Sequence, residues 1–141
     1  MELHAEDQPD PSHLGFLETR IRQEASATMS LGDEVDLAIF VRDGDTIVAG
    51  ISGWTWGDCC ELQSLWVDPS LRRRGLATRL LAAAEAEAAG RGCAQSVLFT
   101  YEFQARALYE KNGYELVGRV DDFPSGTAVL WYRKRLHADQ R

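Results

Sequence analysis

Along this 141-residue chain the spacing of hydrophobic positions changes period repeatedly, and each change marks an element. Residues 1–12 lack apolar periodicity and predict an extended or frayed start. From Ser12 to about Met29, Leu14, Leu17, Ile21 and Ala25 recur at helical spacing behind Ser12 as N-cap, which predicts a helix, whole or broken in two. Gly32-Asp33-Glu34 punctuates the chain. Val35–Val41 then reads as a strand, Asp43-Gly44-Asp45 as a turn, and the run from Thr46 to Trp56 as the second arm of a hairpin. Gly57-Asp58 turns the chain again into a third strand, Cys59–Val67. An amphipathic helix follows from about Arg74 to Ala89, with Leu76, Leu80, Leu81, Ala84 and Ala88 in one stripe and Gly90 as its stop. Gln95–Tyr101 is short and mostly apolar, as suits a buried strand parallel to its predecessor. Strand, helix and strand make one right-handed crossover. Phe103–Lys111 predicts a short helix closed at Asn112-Gly113, and Tyr114–Val120 with Thr127–Leu136 a terminal hairpin. The fold class is α/β, a mixed sheet with helices on both faces, in a single domain spanning 1–141.

Composition narrows the class. A 45% hydrophobic, 26% charged chain of this length is ordinary for one soluble domain, and its apolar runs fall short of a membrane span. The acidic N-terminus does not resemble a secretory signal, so the expected location is cytoplasmic. A net charge of −7 argues against nucleic-acid binding, which needs a broad excess of Lys and Arg, and leaves a cationic substrate plausible. Cys59, Cys60 and Cys93 are odd in number, and the adjacent pair faces opposite sides of a strand, so free thiols are expected. His4, His13 and His137 have no metal-ligand spacing, and no metal is expected.

Chemistry concentrates where the third strand enters the second helix, Leu65-Trp66-Val67-Asp68-Pro69-Ser70-Leu71-Arg72-Arg73-Arg74-Gly75-Leu76-Ala77. A strand ending in a turn delivers the backbone N–H groups of residues 72–77 to a helix start, where the first N–H groups lack intrahelical partners and the dipole favours anions. Gly75 and Ala77 let a ligand approach the backbone, and three arginines add positive charge in an acidic chain. The pattern points to a pyrophosphate.

In order of elements and in local sequence the chain resembles the GNAT family of N-acetyltransferases, best from about Ile47 to Leu136, and especially its small bacterial single-domain members. The family's acetyl-CoA signature is Arg or Gln, two variable residues, Gly, one variable residue, then Gly or Ala; here it reads Arg72-Arg73-Arg74-Gly75-Leu76-Ala77. Ala105-Arg106-Ala107-Leu108-Tyr109-Glu110-Lys111-Asn112-Gly113-Tyr114 resembles the family's second cofactor motif, and Phe103-Gln104-Ala105 and Asp121-Asp122-Phe123-Pro124 resemble a bacterial subgroup. The resemblance implies a sheet of about six to seven strands with a splayed parallel pair, and direct acetyl transfer from acetyl-CoA to a primary amine. Implied cofactor contacts are Leu65, Trp66, Val67, Arg72, Arg73, Arg74, Gly75, Leu76, Ala77, Thr78 and Gln104. Family members often carry an Asn seven residues before the Tyr; Glu102 stands there, and its charge keeps it out of the expected site.

An amine with a pKa of about 10.4 must lose a proton before attack at neutral pH. By the two-residue strand period Glu61 is expected on the face of Gln63, Leu65 and Val67; in many relatives an acidic residue on this strand is the base, often through water, so the resemblance implies Glu61 for that part, with Asp58 as alternative. Tyr109 takes the position that protonates the departing CoA thiolate in many relatives. Trp54, Trp56 and Trp66 read as core or subunit-contact residues, with an amine cage from Trp54 and Trp56 as the other possibility. The expected partner is a small-molecule amine, with a homodimer common among relatives. Competing readings are a protein N-terminal or lysine acetyltransferase and a non-catalytic acyl-CoA-binding or sensor module. A dinucleotide-binding reading fails for want of a G-x-G-x-x-G turn.

Overall fold

A computed structural model describes residues 1–32 and 34–136; Asp33, inside the predicted break, and residues 137–141, with His137, lie outside the described residues. The chain forms two compact units, Met1–Glu34 and Val35 onward. The first is built on α1 (Pro11–Met29), one unbroken helix. Its cap is Asp10 rather than Ser12: the Asp10 carboxylate accepts from the Ser12 N–H at 2.8 Å and from the Ser12 hydroxyl at 2.7 Å. Pro11 then fills the first helical position, where a missing N–H leaves nothing unpaired.

The second unit is a six-stranded mixed sheet with flanking helices. In chain order it contains β1 (Val35–Asp43), β2 (Thr46–Trp56), β3 (Cys59–Val67), a 3₁₀ turn (Pro69–Leu71), α2 (Leu76–Gly90), β4 (Gln95–Tyr101), α3 (Arg106–Lys111), β5 (Glu115–Asp121) and β6 (Ala128–Arg135). The strands lie in the order β1-β2-β3-β4-β6-β5. All neighbours are antiparallel except β3 and β4, the pair joined by the crossover through α2. Leu80, Leu81, Ala84 and Ala88 of α2 are buried together with Leu37, Ile51, Leu62 and Leu98 of the sheet. Each Leu or Ile so buried contributes about 1.5–3 kcal/mol of hydrophobic stabilisation.

The face under α2 can be followed strand by strand. Ala49, Ile51, Gly53 and Thr55 of β2 stand opposite Val67, Leu65, Leu62 and Cys60 of β3, so all eight share it. Two even-numbered and two odd-numbered β3 residues lie on one face because the register slips between Ser52 and Gly53: Ser64 and Leu62 are paired, and Gln63 between them is not. This is a β-bulge, one extra residue that reverses the in-out alternation and raises the local twist. Gly53 makes room for it, since a Cβ there would fall against the Glu61 carbonyl oxygen and the Leu62 backbone. Gly53 is also the signal that the sequence carried, because glycine inside a strand marks a bulge or a close backbone approach.

Candidate active site

Beyond the bulge the parallel pair divides. β3 and β4 are hydrogen-bonded only from Cys59 to Leu62 against Gln95 to Leu98. After that β3 follows β2 as far as Val67, opposite Ala49, and β4 follows β6 as far as Tyr101, opposite Val129. The result is a fork whose facing edges, Gln63–Val67 and Phe99–Tyr101, have no strand between them. A pair of unfilled strand edges is a template for an extended ligand with amide groups.

The fork opens into a cleft of about 620 Å³ lined by Leu65, Trp66, Val67, Leu71, Arg72, Arg73, Gly75, Leu76, Ala77, Thr78, Gln104, Ala105 and Leu108. Ten of the eleven expected cofactor contacts are brought together here; Arg74 is the exception, exposed in the same loop but outside the lining. Leu71, Ala105 and Leu108 also line it; they lie within the quoted motifs but were not among the expected contacts, since small and apolar side chains carry no chemical signature of their own.

Local chemistry builds the loop. Asp68 caps the 3₁₀ turn, accepting from the Ser70 N–H at 2.9 Å and the Ser70 hydroxyl at 2.6 Å, and these bonds hold its carboxyl below the ordinary range. Arg72 Nε donates to the Val67 carbonyl at 2.8 Å, tying the loop to the strand end, and Arg72 also lines the cleft. Arg73 and Gly75 adopt left-handed φ values of 65° and 75°, natural for glycine and strained for arginine. No side chain caps α2. Among the described residues the backbone N–H groups of residues 73–78 donate to no protein acceptor; the first bond of the helix is from Arg79 N–H to the Gly75 carbonyl. Six free donors at a helix start beside arginine side chains form an anion site.

α3 begins at Arg106, three residues later than the sequence predicted, because Gln104 is engaged elsewhere. Its Oε1 accepts from the Tyr101 N–H at 3.2 Å and faces the Thr100 hydroxyl at 3.4 Å, which folds 103–105 as a turn against the end of β4. Tyr109 follows on α3, half-buried, and borders a small cavity at the fork with Leu62, Gln63, Ser64, Leu65 and Phe99. Its ring packs on Tyr114 at 6.0 Å, edge on, and on Tyr132 at 6.3 Å. Each neighbour is anchored by its hydroxyl, Tyr114 to Ser96 at 3.0 Å and Tyr132 to Glu110 at 2.7 Å. The Tyr109 hydroxyl has no hydrogen-bond partner among the described residues, and burial pushes its pKa above the ordinary phenol value, so it keeps its proton at neutral pH.

Glu61 is not on the face of Leu65 and Val67. The bulge at Gln63 puts it on the opposite one, across from Trp54, where its carboxylate accepts from Gln63 Nε2 at 3.1 Å. The expectation of a shared face assumed an unbroken two-residue period. Asp58 lies in the exposed turn before β3, in contact with the Cys59 thiol at 3.5 Å. Glu102 is not in the lining of the cleft and is paired with Arg119 at 2.7 Å. All three cysteines are free thiols, and burial pushes that of Cys60 up to about 11. Among the described residues no three metal-binding side chains converge, and no helix is long and apolar enough to cross a membrane.

The family model described as "Acetyltransferase (GNAT) family" matches residues 1–114. Acetyltransferase Atu2258 of Agrobacterium fabrum is 35% identical over 104 residues, which cover 73% of this chain and 76% of that protein. Blasticidin-S acetyltransferase of Streptomyces morookaense is 36% identical over 107 residues, covering 73% and 69%. In three dimensions the crystal structure of an Agrobacterium tumefaciens protein superposes with a TM-score of 0.86 at 29% identity, over 96% of this chain and 99% of that one.

Proposed function

This chain belongs to the acetyltransferase (GNAT) family, and from that premise we propose that it transfers an acetyl group from acetyl-CoA to the primary amine of a small molecule, by direct attack within one catalytic domain. The observation that carries the reading is the fork, which joins the anion-binding cleft to Tyr109 on one side of the sheet and to the face of Glu61 on the other. Acetyl-CoA supplies the acyl group already activated as a thioester. The free N–H groups of residues 73–78, with Arg72 and Arg73, suit its pyrophosphate, and the unfilled edges of β3 and β4 suit the amides of its arm.

Three protons have to move. Glu61, directly or through water, takes one from the ammonium form of the acceptor, since an amine of pKa about 10.4 is almost wholly protonated at pH 7. The freed nitrogen forms its bond to the acyl carbon, the carbon–sulfur bond breaks as Tyr109 gives its proton to the departing sulfur, and the nitrogen gives up its second proton, which through solvent restores Tyr109 and leaves the neutral amide. With base and acid on opposite faces, Glu61 and Tyr109 each handle a proton on their own side of the reacting carbon. The raised pKa of Tyr109 keeps the donor loaded. A relative that carries the name of a blasticidin-S acetyltransferase supports a small-molecule acceptor.

The test is to mix the protein with acetyl-CoA and a panel of small amines, and to follow free thiol and acetylated product together. Thiol released in step with one acetylated small amine is the expected result. Transfer only to peptide N-termini or lysines, or acetyl-CoA binding with no transfer to any amine, overturns the proposal. Binding itself reads out as thermal stabilisation, about 2.7 kcal/mol at one hundred times the dissociation constant.

A further inference from the structure

The fork has two mouths. The donor cleft opens beside α2 and α3, and Tyr109 faces the fork from that side. An acceptor has to meet the acyl carbon from the other face, so the residues displayed there next to the fork select it. Register identifies them: Trp54 stands opposite Glu61, Glu61 is in line with Val97, and Phe99, two residues further along β4, stands opposite Trp131. The Phe99 and Trp131 rings lie 5.0 Å apart, tilted by 44°. Phe99 is 41% exposed and also borders the cavity at the fork, so the aromatic pair reaches the place where the acyl carbon would lie.

Next to the fork the charge of this face is that of Glu61, to which Asp36 adds from across Trp54; Arg133, in line with Val97, is held by Glu115 at 2.9 Å, and Arg135 stands at the other end of β6, opposite Gln95 and away from the fork. A carboxylate next to flat rings attracts an ammonium group and gives a planar apolar body somewhere to lie. A hydroxyl-rich amino sugar has no flat ring to stack on the pair and covers less of its apolar area.

We infer that the acceptor is an arylalkylamine or heteroarylalkylamine, its ammonium group against Glu61 and its ring on Phe99 and Trp131. This rests on the acetyl-transfer reading for its chemistry, but binding tests it separately. Calorimetry on the full chain, with and without coenzyme A, compares three probes: tryptamine, indole-3-propionate with the same ring and the opposite charge, and glucosamine with the same charge and no flat ring. Tryptamine is expected to bind at least tenfold more tightly than either. Trp131→Leu is expected to weaken tryptamine about tenfold while leaving coenzyme A affinity and glucosamine unchanged, and Phe99→Leu independently to weaken tryptamine about tenfold relative to glucosamine. Glucosamine or indole-3-propionate binding as well as tryptamine, undetectable tryptamine binding, or unmoved tryptamine affinity in whichever variant folds overturns the inference. Tryptamine bound but never acetylated leaves the aromatic site standing and sinks the transfer reading instead.

Discussion

The donor cleft and the opposite face of the same sheet are built in different ways. The cleft comes mostly from one continuous stretch, Leu65 to Thr78, completed by Gln104, Ala105 and Leu108. Its principal groups are backbone N–H donors and strand edges, so its side chains need only be small, apolar or cationic. The opposite face takes Trp54, Glu61, Phe99 and Trp131 from four strands, and each depends on register for its place. A binding surface made of backbone leaves a local signature, whereas one made of side chains scattered over several strands leaves none until the strands are paired.

Substitutions can break that contrast. The largest effect is expected from Tyr109→Phe, which keeps the ring packing and removes a hydroxyl that borders the fork. Turnover should fall by about two to three orders of magnitude with little change in KM for acetyl-CoA. Burial raises the Tyr109 pKa, so the protonated donor persists through pH 10 and any loss of rate from its ionisation comes above that. A pH profile that falls between 8 and 9 through a group lost in Tyr109→Phe contradicts the assignment.

Gly53→Ala addresses the bulge on which the two faces depend. The added Cβ would press on the Glu61 carbonyl, so β3 must either shift register or lose pairing. Thermal unfolding should show a loss of about 3 kcal/mol. A variant as stable as the parent would mean that the bulge relaxes at little cost.

Glu61→Gln is expected to cost about tenfold to a hundredfold in turnover. An unaltered turnover passes the role to Asp58 or to a base on the acceptor's own side. Arg73→Gly should have the smallest effect. It relieves a left-handed arginine while removing one charge from the cleft, so acetyl-CoA KM rises a few-fold, acceptor KM stays put, and stability holds or gains by about 0.5–1 kcal/mol.

Much of the fold was legible because most of its periods are uninterrupted. The α2 stripe of Leu80, Leu81, Ala84 and Ala88 is the buried face of the helix, and β2 and β3 fall where alternation and turns placed them, while β1 runs two residues further, to Asp43. Misreadings came where a side chain competes with a local rule. Asp10 took the cap from Ser12 because Pro11 had to follow it, and Gln104 delayed α3 by bonding the end of β4. The misplacement of Glu61 had a different origin: counting by twos across Gln63 fails once one residue is left unpaired.

By itself the sequence determined the donor side, since a strand, a basic turn and a glycine before an apolar helix dictate free N–H groups and an anion site through contacts only a few residues long. Tertiary structure alone decided which face each β3 residue occupies, where the parallel strands part, and which aromatic rings meet at 5.0 Å beyond Glu61. The reason is physical. Helix starts and turns are settled by neighbouring dihedrals and hydrogen bonds, whereas strand faces and forks are settled by pairing between distant segments, where one extra residue reverses everything beyond it.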